Sequence, residues 1–183
     1  MIYFISDTHF GHSAMIKFGR PFKDVHEMDK TIIKNWNDTV KDNDLVYITG
    51  DFWYKGDTPA TVYLTRLKGR KILLKGNHDD IWINESDALF YLEKIESYFE
   101  YEENELAFNL CHYPMLDWYG GREGRYLIHG HTHSATFINK IDKFYDILKE
   151  IPNALNACVD INQFRPVTLE QLISNNKKFY KRK

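Results

Sequence analysis

Three times before residue 80 the chain runs through a short apolar stretch and stops on a polar group of similar chemical character. Residues 2–6 end in Ser6-Asp7, residues 45–48 lead into Gly50-Asp51, and residues 71–75 open into Gly76-Asn77-His78-Asp79. Short apolar runs bounded by turn signals suit buried strands. Between them, Val25, Met28, Ile32, Trp36 and Val40 recur at helical spacing and predict an amphipathic helix over 24–41. A second helix is expected from Thr58 as N-cap with Pro59 at the first helical position, closing at Gly69. Strand, polar loop and helix in repeated succession imply a largely parallel sheet with helices on its faces.

The second half is richer in strands. Residues 98–102 and 106–111 flank Glu103-Asn104-Glu105 as a hairpin. Residues 126–130 form a further strand, followed by His131-Thr132-His133, and 157–161 are expected as the last long strand. Residues 139–150 carry Ile141, Phe144, Tyr145 and Leu148 on one helical face, and Thr168 with Gln171 opens a final helix as a capping box. No repeat or linker divides the 183 residues, so one domain over 1–183 is expected.

Five groups carry the chemistry: Asp7-x-His9, Asp51, Asn77-His78-Asp79, His112 and His131-x-His133. Each lies just past the C-terminal end of a predicted strand, where the loops of an α/β sheet converge. Asp oxygen, Asn oxygen and His nitrogen together suit Mn²⁺, Fe, Co²⁺, Ni²⁺ or Zn²⁺ better than Ca²⁺, which takes all-oxygen shells. In extended backbone, D-x-H and H-x-H would put both side chains on one face. One ion needs about three or four protein ligands. The strand-end groups offer about twice that number, which favours two ions.

These blocks, taken in order, resemble the signature of the calcineurin-like metallophosphoesterases. The resemblance spans residues 7 to 133 and implies an α/β (α+β) fold, a four-layer sandwich of two mixed β-sheets flanked by helices. It implies that Asp7, His9 and His133 hold one ion, that Asn77, His112 and His131 hold the other, and that Asp51 bridges them. The activity it implies is phosphodiester hydrolysis by a metal-bridging hydroxide, with Mn²⁺ the favoured metal. His78 would protonate or stabilise the leaving oxygen, and Asp79 would orient His78 and support its charge. Two divalent ions facing two carboxylates and a hydroxide leave the site net positive, as an anionic substrate requires. The chain departs from the family at Tyr54, where many members carry an Asp three residues after the bridging one.

The remaining polar residues divide between function and packing. His12, one helical turn past His9, could reach a substrate phosphate from a helix N-terminus or serve as a cap. The 118–125 loop combines glycines, aromatics and arginines, with Arg122 as the candidate substrate contact. His129 is expected as a core histidine, His26 as helix surface, and Cys111, opposite in parity to His112, as pointing into the core. The 177–183 tail is basic with interleaved aromatics and reads first as a solvated terminus, with a nucleic-acid contact as the other use.

Bulk properties narrow the partners. Lys+Arg is 24 against Asp+Glu 26, so overall charge does not point to nucleic acid. No apolar run approaches the roughly 20 residues that cross a bilayer, and the apolar start reads as a strand and not a signal peptide. Two cysteines outside any C-x-x-C pair suit a reducing, cytoplasmic setting. The expected partner is a phosphoester substrate, with a nucleotide in scope. The alternatives are a nuclease, a mononuclear zinc hydrolase, and a catalytically inactive binding scaffold of the same fold. Retention of His78 and all seven ligand positions weighs against the scaffold.

Overall fold

The computed structural model describes residues 1–84, 88–103, 106–134 and 142–181, without the side chains of 142–144. Two four-stranded sheets are flanked by helices, of which α1 (Ala14–Lys17) and α4 (Asp80–Ile83) are single turns. The first sheet runs in the order β1 (Ile2–Ile5), β2 (Leu45–Ile48), β3 (Arg70–Leu74), β4 (Lys94–Glu96), all parallel. An antiparallel bridge between Phe4 and Val167 is added at its β1 edge. The second sheet is mixed. Antiparallel β5 (Tyr98–Glu103) and β6 (Leu106–Cys111) are followed by β7 (Tyr126–His129) and β8 (Ala154–Asn156), which run parallel to β6.

Strand alternation builds two cores. Tyr3, Ile5, Val46, Ile48 and Leu73 face the helices α2 (Val25–Thr39) and α3 (Ala60–Arg66), which contribute Met28, Ile32, Trp36, Tyr63 and Leu64. Phe4, Tyr47, Ile72 and Leu74 face the other way, onto Phe108, Leu110, Ile128 and Leu155 of the second sheet. Each fully buried aliphatic or aromatic side chain contributes about 1.5–3 kcal/mol by leaving water. Helix α6 (Leu169–Lys181) packs against both β8 and β1, where the edges of the two sheets meet. Among the described residues no helix is long and apolar enough to cross a membrane.

The caps explain the helix boundaries. Asp24 accepts from the Glu27 amide at 2.9 Å at the start of α2. Thr168 and Gln171 exchange side chain-to-backbone bonds of 3.0 and 3.3 Å at the start of α6, the expected capping box.

Several expectations need correction. Pro59, extended at ψ 150°, is itself the N-cap of α3, while the Thr58 carbonyl accepts from the Trp53 indole at 2.8 Å. That helix ends at Arg66, ahead of Gly69. Residues 157–161 do not form a strand. Cys158 makes a single bridge to Ser6 and the chain then turns, because Asn162 ties its side-chain amide back to the Cys158 carbonyl at 2.8 Å. Cys111 lies half-buried on the face of β6 opposite Phe108 and Leu110, so it turns away from the inter-sheet core.

Helix α5 (Asp142–Lys149) falls inside the predicted 139–150, with 139–141 outside the described residues. The hairpin turn at 104–105 and tail residues 182–183 lie outside them too. The tail through Lys181 is the last turn of α6, and Phe179 and Tyr180 pack on Tyr145 of α5 at 5.6 and 5.1 Å. Its aromatics are therefore committed to packing, while Lys177, Lys178 and Lys181 are exposed.

Candidate metal centre

Loops from both sheets meet at one edge of the sandwich. The Asp7 amide donates to the Gly50 carbonyl at 2.9 Å and the His9 amide to that of Asp51 at 3.0 Å, so the loops after β1 and β2 run zipped together. The Gly130 amide donates to the His112 carbonyl at 2.9 Å, and the His131 amide to both Asp7 carboxylate oxygens at 3.0 and 3.3 Å, tying in the second sheet.

The backbone at these positions is unusual. Asp7, His9, Asp51, His131 and His133 all have positive φ, between 49° and 69°. Non-glycine residues rarely enter this region, which costs about 1–3 kcal/mol each, although Asp and His are among the types enriched there. The D-x-H and H-x-H segments are therefore not extended. Their side chains converge because the left-handed turns aim them, and not through strand alternation. Glycines permit the crowding: a Cβ on Gly50 (φ 94°) would collide with the His112 ring, and one on Gly130 would stand 2.5 Å from an Asp7 carboxylate oxygen.

The donor atoms face a common space. Asp7 Oδ1 lies 3.6 Å from His133 Nε2 and 3.9 Å from His9 Nε2. Asp51 Oδ2 lies 3.7 Å from His9 Nε2, 3.6 Å from His112 Nε2 and 3.8 Å from His78 Nε2. Asn77 Oδ1 is 3.1 Å from His112 Nε2. The His131 ring stands edge-on to His112 at 5.1 Å.

Separations of 3.6–3.9 Å exceed hydrogen-bond length. They lie just above the roughly 3.0–3.4 Å between two atoms each bound about 2.1 Å from one cation. His9 Nε2 is buried and has no hydrogen-bond partner among the described residues, a costly condition that a cation would relieve. Burial and the nearby Asp7 charge push Asp51 up to about 7, against the opposing pull of His112. Burial holds His9 well below its usual range, in the neutral form that binds metal. Asp51, a buried carboxylate short of positive charge, beside the neutral imidazole of His9, fits a divalent-cation centre.

Sequence reasoning missed the residues that brace this arrangement. Asp160 accepts from His133 Nδ1 at 2.9 Å and pairs with buried Arg20 at 3.1 and 3.2 Å. Arg20 also donates to the carbonyls of Asp7 at 2.6 Å and Thr8 at 2.8 Å. Burial opposes ionisation of Asp160, but Arg20 and His133 outweigh it and hold its pKa down at about 2. The Cys158 thiol donates to Asp7 Oδ2 at 2.8 Å. His112 Nδ1 bonds the Thr49 carbonyl at 2.8 Å. No spacing pattern in the sequence linked Arg20, Cys158 and Asp160 to the His and Asp blocks: Arg20 meets Asp160 across 140 residues and Cys158 meets Asp7 across 151, while Arg20 with Asp7 and Asp160 with His133, 13 and 27 residues apart, match no recognisable motif.

The other predicted residues fall in different places. His78 sits half-buried at the mouth, its amide donating to Asp51 Oδ1 at 2.9 Å. Asp79 does not bond the His78 ring. It is buried, with its oxygens taken by the amides of Asp51, Phe52 and Gly76 and the Trp82 indole at 2.8–2.9 Å. It thus braces the Asp51 loop and acts on His78 only through its charge, which raises the His78 pKa against the stronger lowering by burial.

His12 joins the cluster, with Nδ1 3.4 Å from His9 Nδ1. Arg122 does not. It is exposed and paired with Asp117 at 2.8 Å, beside a surface depression of about 300 Å³ that no residue of the cluster lines. His129 is buried, with Nδ1 on the Gly130 carbonyl at 2.9 Å and Nε2 without a hydrogen-bond partner among the described residues. It is thus only half the satisfied core histidine expected. His26 is exposed, as expected.

The chain is similar to several known proteins along most of its length. An uncharacterised protein of Methanocaldococcus jannaschii is 34% identical over 175 residues, covering 94% of this chain and 89% of that protein. The gene 66 protein of Mycobacterium phage L5 is 28% identical over 165 residues, covering 75% of this chain and 80% of that protein. The crystal structure of a protein of unknown function from Aquifex aeolicus superposes with a TM-score of 0.70 at 28% identity, covering 95% of this chain and 98% of that one. The sequence model of the calcineurin-like phosphoesterases matches residues 1–177, and the chain belongs to that family.

Proposed function

We propose that the chain is a dinuclear metal-dependent phosphodiesterase built as one domain. The observation that carries this reading is Asp51 Oδ2, which lies between His9 Nε2 at 3.7 Å and His112 Nε2 at 3.6 Å, within reach of both halves of the donor cluster. Asp7, His9 and His133 form one cradle, Asn77, His112 and His131 the other, and Asp51 serves both. Two divalent cations held there would supply the Lewis acidity that polarises a phosphoryl oxygen and makes a water nucleophilic near neutral pH.

The chain's own groups do the rest. Asp160, Arg20 and Cys158 hold His133 and Asp7 in their bonding orientations. Asp79 fixes the Asp51 loop through backbone amides. His78, at the mouth, gives a proton to the leaving oxygen. His12, beside His9 and half-buried, faces the same opening as a contact for the substrate phosphate.

The test strips the protein of metal and reloads it separately with Mn²⁺, Co²⁺, Ni²⁺, Zn²⁺ or Mg²⁺. Each form is assayed on bis(p-nitrophenyl) phosphate, p-nitrophenyl phosphate, and single- and double-stranded DNA. Diester turnover that peaks at two ions per chain, highest with Mn²⁺, is expected. A protein inert on every substrate with every metal refutes the enzyme reading. Full activity at one ion per chain refutes the dinuclear one, and preferential DNA cleavage redirects it to a nuclease.

A further inference from the structure

His78 has no hydrogen-bond partner on its ring among the described residues. Apart from the 3.8 Å approach of its Nε2 to Asp51 Oδ2, its orientation comes from packing. Asp79, its neighbour in sequence, is committed elsewhere. Three rings surround His78: Tyr54 at 4.1 Å between centroids, His9 at 5.4 Å and His12 at 6.3 Å. Tyr54 is much the closest, inclined at 53° to the imidazole, and its other neighbour is His12 at 4.8 Å.

The segment that carries Tyr54 is firmly held. Phe10 and Trp53 form a parallel bridge, and the Tyr54 amide donates to the Phe10 carbonyl at 3.3 Å. The Trp53 indole is buried and bonded to the Thr58 carbonyl at 2.8 Å. The next residue, Lys55, sits at φ 48°, a strained turn for a non-glycine residue, with its ammonium 5.1 Å over the Tyr54 ring. A strained turn on an anchored segment marks a position over-determined by its surroundings.

We propose that Tyr54 is the positioning residue for His78. Its ring closes one side of the imidazole and restricts the ring's rotation to orientations that face the Asp51 end of the cluster. This inference rests on the phosphoesterase reading for its catalytic consequence, but not for the contact itself. Misplacing a reacting group by about 1 Å can cost roughly 10²-fold in rate. A proton donor matters most when the leaving group is a poor one, so the loss from freeing His78 should grow with leaving-group basicity.

The test compares Y54A, Y54F and H78A. In Y54A, kcat should fall about 10- to 100-fold on an alkyl phosphodiester and less than about threefold on bis(p-nitrophenyl) phosphate, with KM and metal content unchanged. Y54F should recover most of the loss. Y54A placed on H78A should lower kcat no further, because two residues acting as a unit are not additive.

The contact is read separately by NMR of the metal-free protein. The His78 ring protons should carry an aromatic ring-current shift in the wild type and Y54F, and lose it in Y54A. His78 ring signals unmoved in Y54A overturn the proposal, as does a kcat loss that is equal across leaving groups or additive with H78A. An H78A protein as active as wild type instead refutes the catalytic reading of His78, while the NMR result still decides the contact.

Discussion

The two halves of the donor cluster are built differently. Around Asp7, His9 and His133 everything is buried: these side chains are 0%, 2% and 8% exposed. Behind them stand Asp160, Arg20 and Cys158, each hydrogen-bonded to a cluster residue. Around Asn77, His112 and His131 only His112 is buried, held by the Thr49 carbonyl, while Asn77 and His131 are exposed. One half is braced and dry and the other is open to solvent. Under the proposed function, the open half would be the side of substrate exchange and the braced half the anchor.

Substitution can break this contrast at several depths. The largest effect should come from Asp51, which serves both halves. D51N is expected to lower turnover about 10⁴-fold, since the Lewis-acid contribution is worth several kcal/mol. Elemental analysis should find less than two ions per chain, and a D51N protein that keeps both ions at full activity would remove Asp51 from the bridging position.

H78A should come next, with turnover down about 10²- to 10³-fold at unchanged metal content, the outcome that marks a proton donor and not a ligand for a ring whose Nε2 lies 3.8 Å from Asp51 Oδ2. Loss of metal in H78A would make it a ligand.

D160N sharpens the asymmetry itself. Metal affinity of the braced half should weaken about 10- to 100-fold, seen by calorimetry as one tight event becoming weak while the other is unaltered. Equal weakening of both events would mean that the two halves are not independently supported.

The smallest effect is expected at Arg122, whose only described partner is Asp117 on the surface. R122A should change KM less than about twofold, in line with an exposed pair worth about 0–1 kcal/mol. A larger rise in KM on any good substrate would restore it as a contact.

The two halves also differed in how well the sequence announced them. Asp7, Asp51 and Asn77 follow short apolar runs, legible because β1, β2 and β3 are buried on both faces and so read as continuous apolar stretches. The bracing residues left no such trace. Asp160 lies in what looked like a strand, because Ala157, Cys158 and Val159 are an apolar run. Backbone bonds from Ile161 and Asn162 to Cys158 and Val159, with the Asn162 side chain bonding back to Cys158, turn the chain there, and the Asp160 carboxylate meets His133. Asp79 misled for the opposite reason. Adjacency to His78 suggested a partnership, but the four N–H donors around its carboxylate come from the Asp51–Phe52 segment, Gly76 and Trp82. The left-handed backbone at five cluster positions was equally hidden, since Asp and His tolerate that region without requiring it.

Because Asp7, His9 and Asp51 follow strands of the first sheet while His112 and His133 follow strands of the second, any cation bound among them ties one sheet to the other. Such an ion acts as a rivet across the sandwich. It can seat only after the sheets have closed, so metal loading would come late in folding. It should also raise the melting temperature with the logarithm of free metal concentration, as a ligand specific to the native state does.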